Sequence, residues 1–427
     1  MNSVKFGVIT DAHIPNIETI EKNLYNALFE LKRREIDLII FAGDICDQNQ
    51  EWAYEIYKTI FDSVFAENRP QVLAVSGNHD LWSKVHVCDK TAAENLKKYN
   101  FQSDVNTHIE LNGFHFIGVT SYPYFEGKDT ETEGAFEASK RGDYTYIEDW
   151  LKAELEKACS VSGKPVFVIT HFPPKNTLPG SYLTEWDGNQ TLAKIFKRYP
   201  QVISISGHTH FSLYDERSIH QRDFTSVNGG SLHCVGCTQI EKTAPNGELK
   251  EFINLTRQPA DAYRKFPTYL YGEADEKQVR FTRLCASTGE KCGADWQITC
   301  PIKKEEFIYT DDRFEKPVQF RFEKGDFLKV FHLKNKDYFQ GVNLCYALVK
   351  IPAYAGRIVG FKYILEKDGE RKETAVYSEI DDNIAYPKVF QVIPLENLEK
   401  GVYSIKVYAV ESFGRSSENY LESEFIV

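Results

Sequence analysis

The chain has 427 residues, too many for one ordinary core, so two domains are the default expectation. Its 42% hydrophobic, 26% charged and 14% aromatic content excludes a disordered chain. A net charge of −11 argues against a nucleic-acid partner, which requires a concentrated basic surface, and no apolar run approaches the roughly 20 residues of a membrane span.

The chain opens on a short apolar run, VKFGVIT (4–10), followed by ETIEKNLYNALFELKRR (18–34) with apolar residues at helical spacing. IDLIIFAG (36–43) reads as a buried strand, EWAYEIYKTIFDSVF (51–65) as a helix and QVLAVSG (71–77) as a third element of strand type. FHFIGVT (114–120) is a fourth strand. YTYIEDWLKAELEKAC (144–159) is an amphipathic helix and PVFVITH (165–171) a strand. TLAKIFKRY (191–199) and QVISISG (201–207) repeat the helix-then-strand order. Buried strands joined by crossover helices imply an α/β sheet covered on both faces. From about residue 212 to 302 short strands follow without a helical period, and these are expected to close the first domain.

Beyond IKKEEF (302–307), a plausible linker, the pattern alternates with period two: VQFRF, FLKVFHL, LCYALVKI, GRIVGFKYILEKDGERKETAVY and GVYSIKVYAV. KDGE (367–370) is a hairpin turn signal. An antiparallel sandwich of about 120 residues is expected here. The expected domains are therefore 1–302 and 303–427. PLENLEKGVYSIKVYAVESFGRSS (394–417) resembles the penultimate-strand region of fibronectin type III domains, with Tyr403, Ile405, Val407 and Ala409 on one face.

Nine cysteines, an odd number scattered over the chain, fit reduced thiols. MNSVKFGVIT has no secretory h-region, so a cytoplasmic setting is expected. The fibronectin-like stretch pulls the other way, since such modules are often extracellular. Cys234 and Cys237 form a C-x-x-C beside His233, but no second pair answers them at zinc-site spacing. His86, His108, His115, His220, His233 and His332 are expected to be structural.

The polar residues at the strand ends carry the functional signal. The first strand delivers Asp11 and His13, the second Asp44, and the third Asn78, His79 and Asp80. His171 ends PVFVITH, and His208 and His210 follow QVISIS. In α/β sheets, ligands bind at this edge. On an extended segment residues i and i+2 point the same way, so Asp11 with His13, and His208 with His210, are each expected to face one point. Converging carboxylates and imidazoles suit a metal ion.

The ordered pattern D-x-H, G-D, G-N-H-[DE], H, G-H-x-H resembles the calcineurin-like metallophosphoesterase family over about residues 1–300. That resemblance implies an α/β, four-layer αββα sandwich followed here by the C-terminal all-β sandwich. It implies two divalent transition-metal ions, with Asp11, His13 and His210 on one, Asn78, His171 and His208 on the other, and Asp44 bridging. Nitrogen and oxygen donors without thiolate fit Mn, Fe or Zn equally. Hydrolysis by a metal-bridging hydroxide follows from the family. His79 would contact the phosphate and help the leaving group, and Asp80 would orient His79.

GDICDQN departs from several branches. Gln48 stands where protein serine/threonine phosphatases carry arginine. Asp47 stands where purple acid phosphatases carry a tyrosine ligand and double-strand-break nucleases a histidine. The pattern looks most like cyclic-nucleotide phosphodiesterases and small-molecule phosphoesterases, so a phosphodiester or phosphomonoester of a small molecule is the expected substrate. Tyr122, Tyr182 and Trp186, on loops at the ligand edge, are candidates for stacking on a flat substrate group. The rival expectations are a non-catalytic scaffold and a nuclease of the same family. A protein partner or self-association through the sandwich is left open.

Overall fold

A computed structural model describes residues 2–15, 18–82, 91–100, 102–121, 142–161, 163–181, 187, 190–233, 239–243, 249–254, 267–315, 320–333, 344–352, 358–377, 388–395 and 398–427. The described residues form two compact units. One comprises 1–213, 217–236 and 262–312; the other comprises 214–216, 237–261 and 313–427.

The first unit holds two six-stranded mixed sheets. One is built on β1 (Val4–Ile9), β2 (Leu38–Ala42) and β3 (Gln71–Val75), which are parallel. It is extended beyond β1 by the antiparallel strands β12 (Thr268–Ala274), β13 (Gln278–Cys285) and β14 (Trp296–Thr299). The second sheet has parallel strands β5 (Phe114–Gly118), β6 (Val166–Ile169), β7 (Val202–Ser206) and β9 (Thr225–Asn228). It is flanked by antiparallel β4 (Thr107–Leu111) and β8 (Ile219–Gln221).

The sheets meet face to face through aromatic rings. Phe6 of β1 packs edge-on against Phe116 and Phe167, with centroids 5.4 and 5.0 Å away. Helices cover the outer faces. Along α1 (Glu18–Arg33), Ile20, Leu24, Ala27, Leu28 and Leu31 recur on one side and are buried, while Lys32 and Arg33 sit at the negative end of the helix dipole. In α2 (Glu51–Val64), Ala53, Tyr54, Tyr57, Phe61 and Val64 supply the buried stripe in the same core. The helix α3 (Ala92–Asn100) adds Leu96 and Tyr99. Over the other sheet lie α4 (Glu148–Ala158) and α5 (Thr191–Phe196), which bury Leu151, Leu155, Leu192 and Phe196. This is the expected αββα order of layers.

In the second unit, β15 (Leu328–Leu333), β16 (Leu344–Pro352) and β19 (Lys388–Leu395) form one antiparallel sheet. β17 (Ile358–Lys367), β18 (Glu370–Tyr377), β20 (Val402–Glu411) and β21 (Leu421–Ile426) form the other, in the order β18-β17-β20-β21. The hairpin between β17 and β18 turns at Asp368 and Gly369, both with positive φ, as a two-residue turn of this twist requires. Tyr403, Ile405, Val407 and Ala409 share the buried face of β20 and pack with Phe361 and Ile393 from the two sheets. VQFRF gives no strand among its described residues. The antiparallel pair β10 (Gln239–Thr243) and β11 (Leu249–Asn254) groups with this unit rather than with the first. No helix among the described residues is long and apolar enough to cross a membrane.

Candidate metal centre

The C-terminal ends of β1, β2, β3, β6 and β7 converge at one edge of the paired sheets. The segment after β1 is zipped to the segment after β2: Asp11 N donates to Gly43 O at 3.0 Å, and Ala12 N and His13 N donate to Asp44 O at 2.9 and 3.0 Å. This fixes both carboxylates before any side chain is considered.

Among the described residues, four candidate donor groups gather here, and two of them share Asp44. Asp11, His13, Asp44 and His210 form one, and Asp44, His171 and His208 the other, with donor atoms within 4.8 Å inside each group. In the first, His210 Nε2 lies 2.9 Å from Asp11 Oδ1 and 3.2 Å from His13 Nε2. In the second, His171 Nε2 lies 3.2 Å from His208 Nδ1 and 3.2 Å from Asn78 Oδ1. Asp44 Oδ2 stands 3.6 Å from His13 Nε2 and 3.2 Å from His171 Nε2.

The expectation from strand alternation needs correction in its geometry. The strands end at Ile9 and Ser206, before the histidines. Asp11, His13, Asp44, His208 and His210 all have φ between 49° and 65°. They account for five of the eleven non-glycine residues with positive φ among those described, a concentration of strained backbone of the sort found at functional sites. His208 and His210 do not face one point; they belong to different groups. Close backbone approach adds a further constraint. A Cβ on Gly77 would overlap Asp44 Oδ1, and one on Gly207 would overlap Thr10 and Asp11.

The electrostatics follow from this donor geometry. His171 Nδ1 donates to the Ala42 carbonyl at 2.9 Å, so Nε2 is left to face Asp44, Asn78 and His208. Burial opposes charge on His171, but the Asp44 carboxylate overrides it and lifts the pKa to about 9. A proton is thus held where several lone pairs meet. Burial also raises Asp11, yet His210 and its neighbours hold it at about 2. Buried His13 is pushed down to about 4, so it presents a neutral imidazole. Ionised carboxylates among imidazole nitrogens, with an amide oxygen beside them, suit divalent ions, which would take the place of the proton on His171.

His79 lies outside the two groups that share Asp44 and instead clusters with His13 and Asp47. It begins a short 3₁₀ turn, and its backbone N–H donates to Asp44 Oδ1 at 2.8 Å. Its Nδ1 lies 3.1 Å from Asp47 O and 3.3 Å from Asp47 Oδ1, and its ring packs on Trp82 with centroids 4.1 Å apart. Burial lowers its pKa, but Asp44 and Asp47 together raise it above the usual histidine value. The contact expected of Asp80 is therefore made by Asp47. Asp80 instead accepts from Gly77 N at 2.9 Å, Cys46 N at 3.0 Å and Tyr54 OH at 3.2 Å, tying the second and third strand ends together. Its burial pushes its pKa up to about 6.

Two residues near the site were not assigned from the sequence. Asp47 was legible only as a departure from related motifs, although its place three residues after Asp44 was a usable signal. His233, expected to be structural, brings its ring within 4.8 Å of His13. Its backbone N–H donates to Asp11 O at 3.0 Å, a long-range contact with no local signature. His108 and His115 pair with each other at 3.0 Å, away from the metal groups. Tyr122, Tyr182, Trp186, Cys234 and Cys237 lie outside the described residues.

Residues 4–212 match the family described as Calcineurin-like phosphoesterase. The chain is 26% identical over 182 residues to a probable cyclic nucleotide phosphodiesterase of Rhodococcus erythropolis, an alignment covering 41% of this chain and 52% of that protein. The chain thus spans about half the length of that relative. It is also 26% identical over 215 residues to a probable glycerophosphodiester phosphodiesterase GpdQ of Arcobacter nitrofigilis, covering 47% and 70% respectively. A dimetal phosphatase from Danio rerio superposes with a TM-score of 0.45 at 14% identity, over 69% of this chain and 98% of that one.

Proposed function

Residues 4–212 belong to the calcineurin-like phosphoesterase family, and on that premise we propose that the chain hydrolyses a phosphodiester or phosphomonoester of a small molecule at a two-metal centre. The observation that carries this reading is the position of Asp44, one carboxylate common to both donor groups. Asp11, His13 and His210 would hold one ion, Asn78, His171 and His208 the other, with Asp44 between them. When bound, such ions supply Lewis acidity toward a phosphoryl group and make water acidic enough to ionise near neutral pH. Mn, Fe and Zn all accept this donor set.

The chain's own residues supply the rest. His79 is held through Nδ1 by Asp47, which leaves Nε2 for the substrate. Its raised pKa favours the protonated ring, which is placed to give that proton to the ester oxygen that departs. Asp80 keeps the backbone around Asp44 and Gly77 in place, a positioning role rather than a chemical one. Trp82, against His79, extends the apolar side of the site.

The names of the two relatives favour a diester of a nucleotide or polyol type over a macromolecule. The net charge of −11 also disfavours a nuclease. We keep a hydrolytic domain followed by an appended sandwich, with the division moved from 302 to about 312 and the β10–β11 pair grouped with the sandwich, for which the strand order β18-β17-β20-β21 supports the fibronectin type III-like reading. The thiols Cys46, Cys159, Cys285 and Cys300, free among the described residues, favour a reducing compartment such as the cytoplasm. The test is a panel of cyclic nucleotides, glycerophosphodiesters and aryl monoesters, assayed with elemental analysis. Hydrolysis of a diester by material holding two ions per chain is expected. Metal-replete protein inert toward every class would overturn the reading in favour of a scaffold.

A further inference from the structure

A second concavity in the first unit has no residue in common with the metal groups. Its volume is about 210 Å³. Since about 10–15 Å³ of space open to the centres of waters holds one water molecule, this is room for a phosphate group and attendant solvent.

The cavity is cationic in an acidic protein. Lys175, Lys194, Lys197 and Arg222 line it, and Asp223 is the one acidic residue among the described lining. Asp223 is itself engaged by Lys304 at 2.5 Å. Arg222 is held as a fork on Asp311, with Nη2 to Oδ1 at 3.0 Å and Nε to Oδ2 at 3.2 Å, so its position is set before any ligand arrives.

The second observation is Ser226, on β9. Its residue is 1% exposed, its hydroxyl has no hydrogen-bond partner among the described residues, and it lines the same cavity. A buried hydroxyl without a partner is destabilising, and native proteins keep few of them. An oxyanion in the cavity would meet the lysines, and a rotation of the Ser226 side chain toward it would give that hydroxyl an acceptor.

We propose that this cavity is a binding site for the phosphate group of a small molecule, separate from the metal centre and recognised by Lys175, Lys194, Lys197 and Ser226. The site does not depend on the phosphoesterase reading. Its chemistry is that of any tetrahedral oxyanion, and pyrophosphate is a suitable probe.

Pyrophosphate is titrated calorimetrically into the full chain and into Asp44→Ala, which impairs the metal centre and leaves the cavity intact. One equivalent should still bind to Asp44→Ala. The Lys194→Ala/Lys197→Ala pair in that background should weaken it by about tenfold or more, tenfold being about 1.4 kcal/mol. The Lys194→Arg/Lys197→Arg pair should retain binding, and added salt should weaken it. Ser226→Ala should lower affinity while the melting temperature holds or rises, because it deletes an unsatisfied hydroxyl. Loss of all binding in Asp44→Ala, or affinity indifferent to the lysine pair, would place the anion at the metal centre and overturn the proposal. So would a lack of binding to the full chain at millimolar pyrophosphate.

Discussion

Asp47 presents its Oδ1 to His79 Nδ1 at 3.3 Å. The same oxygen lies 3.2 Å from His13 Nδ1, so one carboxylate orients an imidazole expected to bind metal and one expected to meet substrate. Removing it should disturb both. Asp47→Ala is expected to lower turnover of an aryl phosphodiester and metal affinity by about 10–100-fold, the usual cost of losing such an outer partner. Asp47→Asn should lose less, since its amide oxygen still accepts. Turnover and metal content unchanged in Asp47→Ala would remove the residue from the site.

Asp44 makes a sharper prediction, because its Oδ2 stands near both His13 and His171. Replacing an ordinary ligand should empty one position first. Asp44→Asn should instead reduce the content of both ions together, with hydrolysis falling to background. Elemental analysis decides it: one ion retained at full occupancy would show that Asp44 is not shared.

The strand ends that gather these donors were readable because parallel strands buried on both faces appear as continuous apolar runs. β2 and β6 are runs of this kind, β1 and β7 are interrupted only by Lys5, Ser204 and Ser206, and each is followed at once by its polar residues. The helix α3 and the edge strand β4 were missed. Four of the five residues of β4 are only partly buried and the fifth is exposed, and Thr107, His108 and Glu110 interrupt its apolar pattern. The approach angle of each donor was also hidden. Left-handed φ at His208 and His210 has no signal in residue type; the loop that carries them is tied by His208 N to Asp11 Oδ1 and by Thr209 N to Gly207 O. Asp80 illustrates the same limit. It neighbours His79 in sequence, but its acceptors are taken by backbone N–H groups of three other residues.

Gly207 offers a test of that loop geometry. A Cβ there would overlap Thr10 Oγ1 and Asp11 Oδ2, and Thr10 Oγ1 already donates to Asp11 Oδ2 at 2.7 Å. Neither buried group has space to retreat. Gly207→Ala is expected to cost about 1–3 kcal/mol of stability, as overpacking does. It should also weaken metal retention through Asp11. Chemical denaturation and metal content are the two readouts; a variant matching the parent in both would mean the loop yields more easily than its contacts imply.

The ion pair that fixes Arg222 at the second cavity gives a pH dependence whose sign is determined. Burial pushes the Asp311 carboxyl up, but hydrogen bonds from His220 and Arg222 outweigh it and hold the pKa below the usual 3.8. The folded state therefore resists protonation more than the unfolded chain does. The resulting stabilisation is fully present above pH 3.8 and is lost as pH falls through the lower, folded value. Asp311→Asn should accordingly be less stable than the parent at neutral pH, and the gap should narrow as the medium is acidified below that point. The two side chains are 32% and 30% exposed, so solvent screens the pair in part and the effect should be modest and should shrink in high salt. Urea denaturation of both proteins along a pH series measures it. A gap that persisted undiminished into strong acid would mean that Asp311 acts through packing, and Arg222 would then owe its position at the cavity to something other than charge.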